Sequence, residues 1–313
     1  MSEKKVFILG TAALVPTRER NHHACFLRWE EEGLLFDPGE GTLRQMIYAG
    51  ISASMITKIF ISHFHGDHCL GLAGVAQRIS LDQVRHPVKI YYPASGQEYL
   101  ERLLNASIYY RQATFFPCPV HESGVLESAP HCQVEAQRLE HVVDCFGYRI
   151  SEADSYTVDG AGLTELGLSG TEIGELKRRG ELTREGRTIR LPEHGVLKAG
   201  KKVAFIMDTR VCPAAYDLAR GADLVISEAT FLAGEGEQAE RFGHLTATQA
   251  ATIAKEGGAK QLILTHFSGR HPTTAPYLAE AEAIFPGVVV ARDGEQIELL
   301  ACKRPPVLTK VEG

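Results

Sequence analysis

The segment His63-Phe-His-Gly-Asp-His68 constrains this chain more than any other. It follows the apolar run 58–62, which reads as a buried strand, so it sets metal-competent side chains on one strand-to-helix turn. His63 and His65, at alternate positions of extended backbone, face the same way. Asp67 and His68 fall on the adjoining turn, where they can serve a second centre. Imidazole nitrogen and carboxylate oxygen are donors that Zn²⁺ takes, and catalytic sites leave a position for water. A surface loop and a purely structural zinc site are the plainer readings of the same residues.

Two metals need more donors than one loop supplies, and strand ends supply them. The runs 133–141, 202–207, 224–227 and 261–264 read as strands that deliver His141, Asp208, Glu228 and His266. Any one of these alone suits a satisfied core or edge residue. Together they describe a layered α/β protein whose site collects along one sheet edge. Further strands are expected at 5–9, 24–29 and 34–36, and a hairpin partner for 133–141 at 146–151. Helices are expected at 42–49, 71–81 and 247–255, the last with Thr246 as N-cap and Gly257-Gly258 as its stop.

With 313 residues, 44% of them hydrophobic and 23% charged, the chain can bury a full core, which excludes a disordered tail, a fibre and a disulfide-stapled miniature. The seven cysteines are scattered and include no C-x-x-C pair, as suits reduced thiols in a cytosol. Charged Arg18-Glu-Arg20 follow the apolar run 6–9 too soon for a secretory signal. No apolar stretch approaches the ~20 residues that span a bilayer, so a cytoplasmic protein without a membrane partner is expected. Trp29 and the strand aromatics read as core.

A net charge of −6 speaks, as a single number, against a nucleic-acid partner. Charge is not spread evenly, however. Between Leu176 and Lys202 stand nine basic and three acidic residues, a local +6 that leaves −12 on the rest of the chain. Lys177, Arg178 and Arg179 begin that run. With the Gly- and Thr-rich stretch before it, the run reads as an insertion at about 157–201, for which a solvated surface loop is the plainer reading.

The histidine loop, the later histidine, the strand-terminal Asp208-Thr209 and the final Thr265-His266-Phe-Ser resemble the metallo-β-lactamase superfamily. Within it, three features resemble the ribonuclease Z family of tRNA 3′-processing endonucleases. Pro16-Thr-Arg-Glu-Arg-Asn21 is similar to a P-x-K-x-R-N loop, with Arg18 in place of Lys. Glu228-Ala-Thr230 and Gly243-His244-Leu-Thr-Ala247 resemble the region that replaces the fifth ligand motif of hydrolase relatives. The insertion corresponds in position to the family's flexible arm. Two departures stand out: Met207 precedes Asp208 where the family usually has Gly, and the arm lacks a Gly-Pro pair.

The resemblance implies an αββα metallo-β-lactamase sandwich, one domain over 1–313, with the arm as an exosite and a disordered tail at 303–313. It implies one Zn²⁺ (or Mn²⁺) on His63, His65, His141 and Asp208, and a second on Asp67, His68, Asp208 and His266. Asp67 would take a proton from the attacking water, and His244, oriented by Glu228, would serve the scissile phosphate or the leaving 3′-oxygen. Arg18, Arg20, Asn21 and Arg270 are the candidates for holding the acceptor end, and Lys177, Arg178 and Arg179 for gripping the tRNA body. A homodimer acting on precursor tRNA, with no DNA partner, is the expected assembly. His22, His23, His86, His121, His131, His194 and His271 carry no ligand spacing and read as surface or hydrogen-bonded residues. A dinuclear hydrolase of small substrates (arylsulfatase, lactonase or small phosphodiesterase) and a non-catalytic RNA-binding homologue are the competing readings.

Overall fold

The computed structural model describes residues 4–129, 131–184 and 186–299, with the backbone of Thr309–Lys310. Two sheets lie face to face between helical layers. The first runs, in spatial order, Thr309–Lys310, Glu295–Glu298, Lys4–Gly10, Ala24–Trp29, Glu32–Phe36, Lys58–Phe60, Val88–Pro93 and Phe115–Val120. The second runs Val289–Val290, Leu262–Thr265, Leu224–Glu228, Lys202–Ile206, Cys145–Ser151, Cys132–Leu139 and Gly124–Ala129. The inner faces meet through side chains such as Leu27, Trp29 and Phe60 on one side and Val134, Phe146 and Ile226 on the other. Phe36 stacks on Phe205 across the gap, with centroids 3.5 Å apart.

Helix Leu72–Leu81 presents Leu72, Val75, Ala76 and Ile79 to the outer face of the first sheet, an i, i+3, i+4, i+7 stripe. Helices Pro213–Ala219, Ala247–Glu256 and Ala275–Glu282 cover the second. Thr246 caps helix Ala247–Glu256 in a capping box with Gln249, as its position before an apolar-periodic run predicts. Met207 is buried in the inter-sheet core, so the departure from Gly is absorbed by packing.

One strand in particular escapes sequence reading. Phe115–Val120 carries Pro117 and Pro119, which remove ladder donors, yet it pairs in parallel with Val88–Pro93 because it is an edge strand with one side free.

The orientation of the inner strands places the site. Glu32–Phe36, Lys58–Phe60 and Val88–Pro93 run parallel, as do Lys202–Ile206, Leu224–Glu228 and Leu262–Thr265, so each set releases its C-terminal residues at one edge. Strands Cys145–Ser151 and Lys202–Ile206 are antiparallel neighbours with Ser151 opposite Lys202, so the segment between them leaves and rejoins the sheet at one point. That segment pairs Ser155–Val158 with Gly195–Lys198 and encloses helices Gly160–Glu165 and Gly170–Arg179 and the hairpin Glu181–Arg184/Arg187–Arg190. Leu163, Leu168, Leu176, Ile189 and Leu191 form a small core of its own. The expected disordered tail at 303–313 lies outside the described residues, except Thr309–Lys310, whose backbone pairs with Glu295–Glu298.

Asp293 fastens the loop after the first strand. Its Oδ1 lies 2.7 Å from Thr11 Oγ1, and its Oδ2 accepts from Asn21 N at 2.6 Å. Burial outweighs these donors and pushes its pKa from the ordinary 3.8 up to about 6. A raised native pKa adds stability that is complete below about 3.8 and lost as pH rises through about 6. Asp293→Asn, whose amide matches both contacts without a charge, is expected to flatten this dependence: between pH 4 and 7 the melting temperature of the parent should fall relative to the variant.

Candidate metal centre

Every ligand predicted from the sequence arrives at the same sheet edge. His63 follows strand Lys58–Phe60 through two residues, His65 caps the short helix Gly66–Cys69, and Asp67 and His68 lie within that helix. His63, His65, His141 and Asp208 bring one donor atom each within 4.8 Å of one another, and so do Asp67, His68 and His266. Asp208 joins the two sets: its Oδ2 is 3.5 Å from His63 Nε2 and 3.3 Å from His68 Nε2. The histidine loop therefore divides, with His63 and His65 in one group of donors and Asp67 and His68 in the other.

Four of the five rings are held by the nitrogen they do not offer. His63 Nδ1 meets Ser62 Oγ at 2.9 Å, His68 Nδ1 donates to Asp37 Oδ2 at 3.0 Å, His141 Nδ1 donates to the Gly243 carbonyl at 2.8 Å, and His266 Nδ1 meets Thr230 Oγ1 at 2.9 Å. In all four the Nε2 is left for the centre, a tautomer set by outer partners. Gly243 has to be glycine: its φ is +74°, and a Cβ there would come within 2.8 Å of His141 Nδ1. Asp37, Asp208 and His266 also sit at positive φ, 46°, 44° and 59°, a cost of about 1–2 kcal/mol each for an L-residue, concentrated where the donors converge.

The electrostatics suit cations. Burial lowers the pKa of His63 far below its ordinary value and lowers His65 and His141, which keeps these rings neutral with lone pairs available. His63 Nε2 and His65 Nδ1 are 2.9 Å apart, and His141 Nε2 is 3.3 Å from His65 Nδ1, so nitrogens crowd round a common point. Around His68 burial is outweighed by Asp208 and Asp67, which drive its pKa well above the ordinary value; this end of the site is built to hold positive charge. Burial of the Asp67 carboxyl is likewise outweighed, by His68 and His266, and it stays ionised far below the usual carboxylate range. Asp208 Oδ1 is buried without a hydrogen-bond partner among the described residues. Neutral imidazoles, ionised carboxylates and an orphaned buried oxygen fit divalent metal ions.

Glu228 stands behind this centre. Fully buried, it accepts from Thr209 N at 2.7 Å and Thr230 Oγ1 at 2.6 Å, and both its oxygens lie 3.1 Å from His244 Nδ1. Burial opposes a charge on His244, but Glu228 and Asp208 together outweigh it and push the pKa up to about 9. His244, Asp67, His65, His141, Asp208 and His266 all line one open cavity of about 770 Å³.

The expected substrate residues separate. Arg18 is exposed, and Arg270 lines the cavity. Arg20 is buried, its guanidinium donating to the Ser268 carbonyl at 3.4 Å and to the His271 carbonyl, and Asn21 donates through Nδ2 to the Glu40 carbonyl at 2.9 Å. In this structure both hold the loop rather than face the cavity, because their polar groups are used on backbone carbonyls. Lys177, Arg178 and Arg179 are exposed on the last turn of helix Gly170–Arg179, and the cavity's lining includes no residue of 152–201. His22 and His23 are buried and hydrogen-bonded, His22 Nε2 lying 3.2 Å from the Leu14 carbonyl and His23 Nδ1 3.4 Å from Thr265 Oγ1; the His23 ring centroid is 5.8 Å from that of His68.

A family profile described as Beta-lactamase superfamily domain matches residues 33–267. Ribonuclease Z of Nocardia farcinica is 50% identical over 302 residues, 96% of this chain and 99% of that protein. The chain belongs to the ribonuclease Z family. Ribonuclease Z of Protochlamydia amoebophila is 46% identical, covering 94% of this chain and 96% of its own. Among solved structures, the short form of human tRNase Z has a TM-score of 0.68 at 27% identity, covering 95% of this chain and 99% of its own. YhfI from Bacillus subtilis, TM-score 0.69 at 20% identity, shares the fold. These ribonuclease Z relatives do not favour the small-substrate reading.

Asp37 is the outer residue that the sequence reading missed, although it follows strand Glu32–Phe36 by the same strand-end rule that picked out Asp208. It accepts from Ser62 N at 2.6 Å and Ser62 Oγ at 2.7 Å as well as from His68. Asp37→Asn is expected to fold, keep the Ser62 contact and lose the acceptor for His68, lowering metal affinity about 10- to 100-fold. Chelator competition measures this, and unchanged affinity would remove the role.

Proposed function

We propose that this chain is a metal-dependent endoribonuclease that removes 3′ trailers from precursor tRNA and leaves a 3′-hydroxyl on the tRNA. Supporting this most strongly is a set of seven metal-competent residues gathered at one sheet edge, five of them lining one cavity, in a chain 50% identical to a ribonuclease Z over nearly its whole length. His63, His65, His141 and Asp208 would hold one Zn²⁺, and Asp67, His68, Asp208 and His266 another, with Mn²⁺ suited to the same donors. Such ions supply Lewis acidity and a source of hydroxide at neutral pH.

The chain's own groups handle the protons. Asp67 Oδ2 accepts the Leu14 backbone N–H at 2.7 Å, which fixes the carboxylate that receives the proton of the attacking water. As the new P–O bond forms, the bond to the 3′-oxygen breaks in line, and His244, protonated at neutral pH through Glu228, gives its proton to that oxygen. Arg18 and Arg270 neutralise phosphate oxygens, with Arg20 and Asn21 positioning the loop that carries Arg18. One domain with an arm at about 157–201 would present Lys177, Arg178 and Arg179 to the tRNA body, in a cytoplasmic homodimer.

Cleavage of a precursor tRNA with mapped ends tests this. Asp67→Ala should abolish cleavage, whereas His244→Ala should lower kcat about 10²- to 10⁴-fold. Surviving cleavage in the first variant would sink the mechanism, and full activity in the second would remove His244 from it. Deleting the arm should remove tRNA cleavage at physiological salt while sparing a small chromogenic phosphodiester. Neutralising its Lys and Arg residues should flatten the salt dependence of tRNA binding.

A further inference from the structure

The cavity has a property that phosphate chemistry does not require: its walls carry exposed apolar side chains. Leu14 and Val15 on one wall are 77% and 60% exposed, and Phe242 on another is 48% exposed. Phe242 ends helix Gly236–Phe242, and its ring is parallel to that of buried Phe231, with an interplanar angle of 6° and centroids 6.5 Å apart. Arg241 places its guanidinium carbon 5.4 Å from the Phe242 centroid, and Arg270 lies 4.9 Å from that of Phe231. The Phe231 ring is in turn 5.8 Å from the ring of His244. An aromatic wall with a cation on each ring therefore adjoins the group that serves the leaving oxygen. RNA offers one apolar surface to such a wall, the face of an unstacked base.

We propose that Phe242 is a stacking platform for the base of the last nucleotide the tRNA keeps, the one whose 3′-oxygen departs. The direction rests on the roles given above to Asp67 and His244. In-line displacement puts the attacking and leaving oxygens at opposite apices of the phosphorus. Leu14 is tied to Asp67, the attacking side, by its 2.7 Å hydrogen bond, and Phe242 stands two residues from His244, the leaving side. The ribose whose 3′-oxygen faces His244 is thus the one beside the aromatic wall. Stacking reads the π-face and not the hydrogen-bonding edges, so the platform accepts any base at that position while fixing the sugar for proton transfer. Phe242 is then a positioning residue, and the left-handed turn at Gly243 joins it to His244.

Three substrates test the assignment: an intact precursor tRNA, one abasic at the last retained nucleotide, and one abasic at the first trailer nucleotide. Phe242→Ala should lower kcat/KM on the intact substrate about 10-fold, the loss of one base stack, and Phe242→Tyr should restore it. The parent enzyme should lose a similar factor on the substrate abasic at the retained position, and Phe242→Ala should lose nothing further there. On the substrate abasic in the trailer, the effect of Phe242→Ala should persist in full. An alanine variant with intact-level activity, equal losses on all three substrates, or coupling to the trailer base instead would each overturn the platform. Failure of the underlying reading shows separately, as a parent enzyme that does not cut the intact precursor or a fully active His244→Ala.

Discussion

The carboxylate of Asp208 is the point on which the two halves of this molecule depend. It stands past the end of a central strand of the second sheet, and its Oδ2 reaches histidines delivered by the first sheet. Three buried carboxylates, Asp37, Asp67 and Asp208, crowd together with six imidazoles, an arrangement stable only if cations or protons balance it. The left-handed backbone at Asp37, Asp208 and His266 shows the chain bent to bring these groups together. Parallel strands on both sides make the convergence possible, since all release their ends at one edge.

Around that charged centre the outer residues supply order. Asp37, Ser62, Thr230 and the Gly243 carbonyl each take one ring nitrogen and so determine which nitrogen faces inward. Thr230 has a second duty: its hydroxyl donates to Glu228, so a single side chain links His266 to the carboxylate that charges His244. Metal-binding and proton-transfer groups are thereby parts of one hydrogen-bonded network rather than separate devices.

Much of this was legible in the chain because it follows short-range rules. Alternation identified the strands 24–29 and 34–36, and a strand-end rule found His141, Asp208, Glu228 and His266. What escaped depended on neighbours remote in sequence. Phe115–Val120, with its two prolines, is a strand only because Val88–Pro93 offers an edge. Arg20 and Asn21 look like substrate groups until carbonyls at Ser268 and Glu40 are seen to occupy them. His23 looked ordinary until burial put it beside His68.

The net charge shows the same division. Sequence alone separated a +6 run from a −12 remainder and matched the donor types to divalent metals. It did so because composition and spacing are properties of the chain itself. Only the tertiary structure decided that the basic run sits on a small body with its own core, away from the cavity, and that Asp208 lies between two sets of donors. Those facts follow from which strands pair and which way they run, and no local pattern of residues records that.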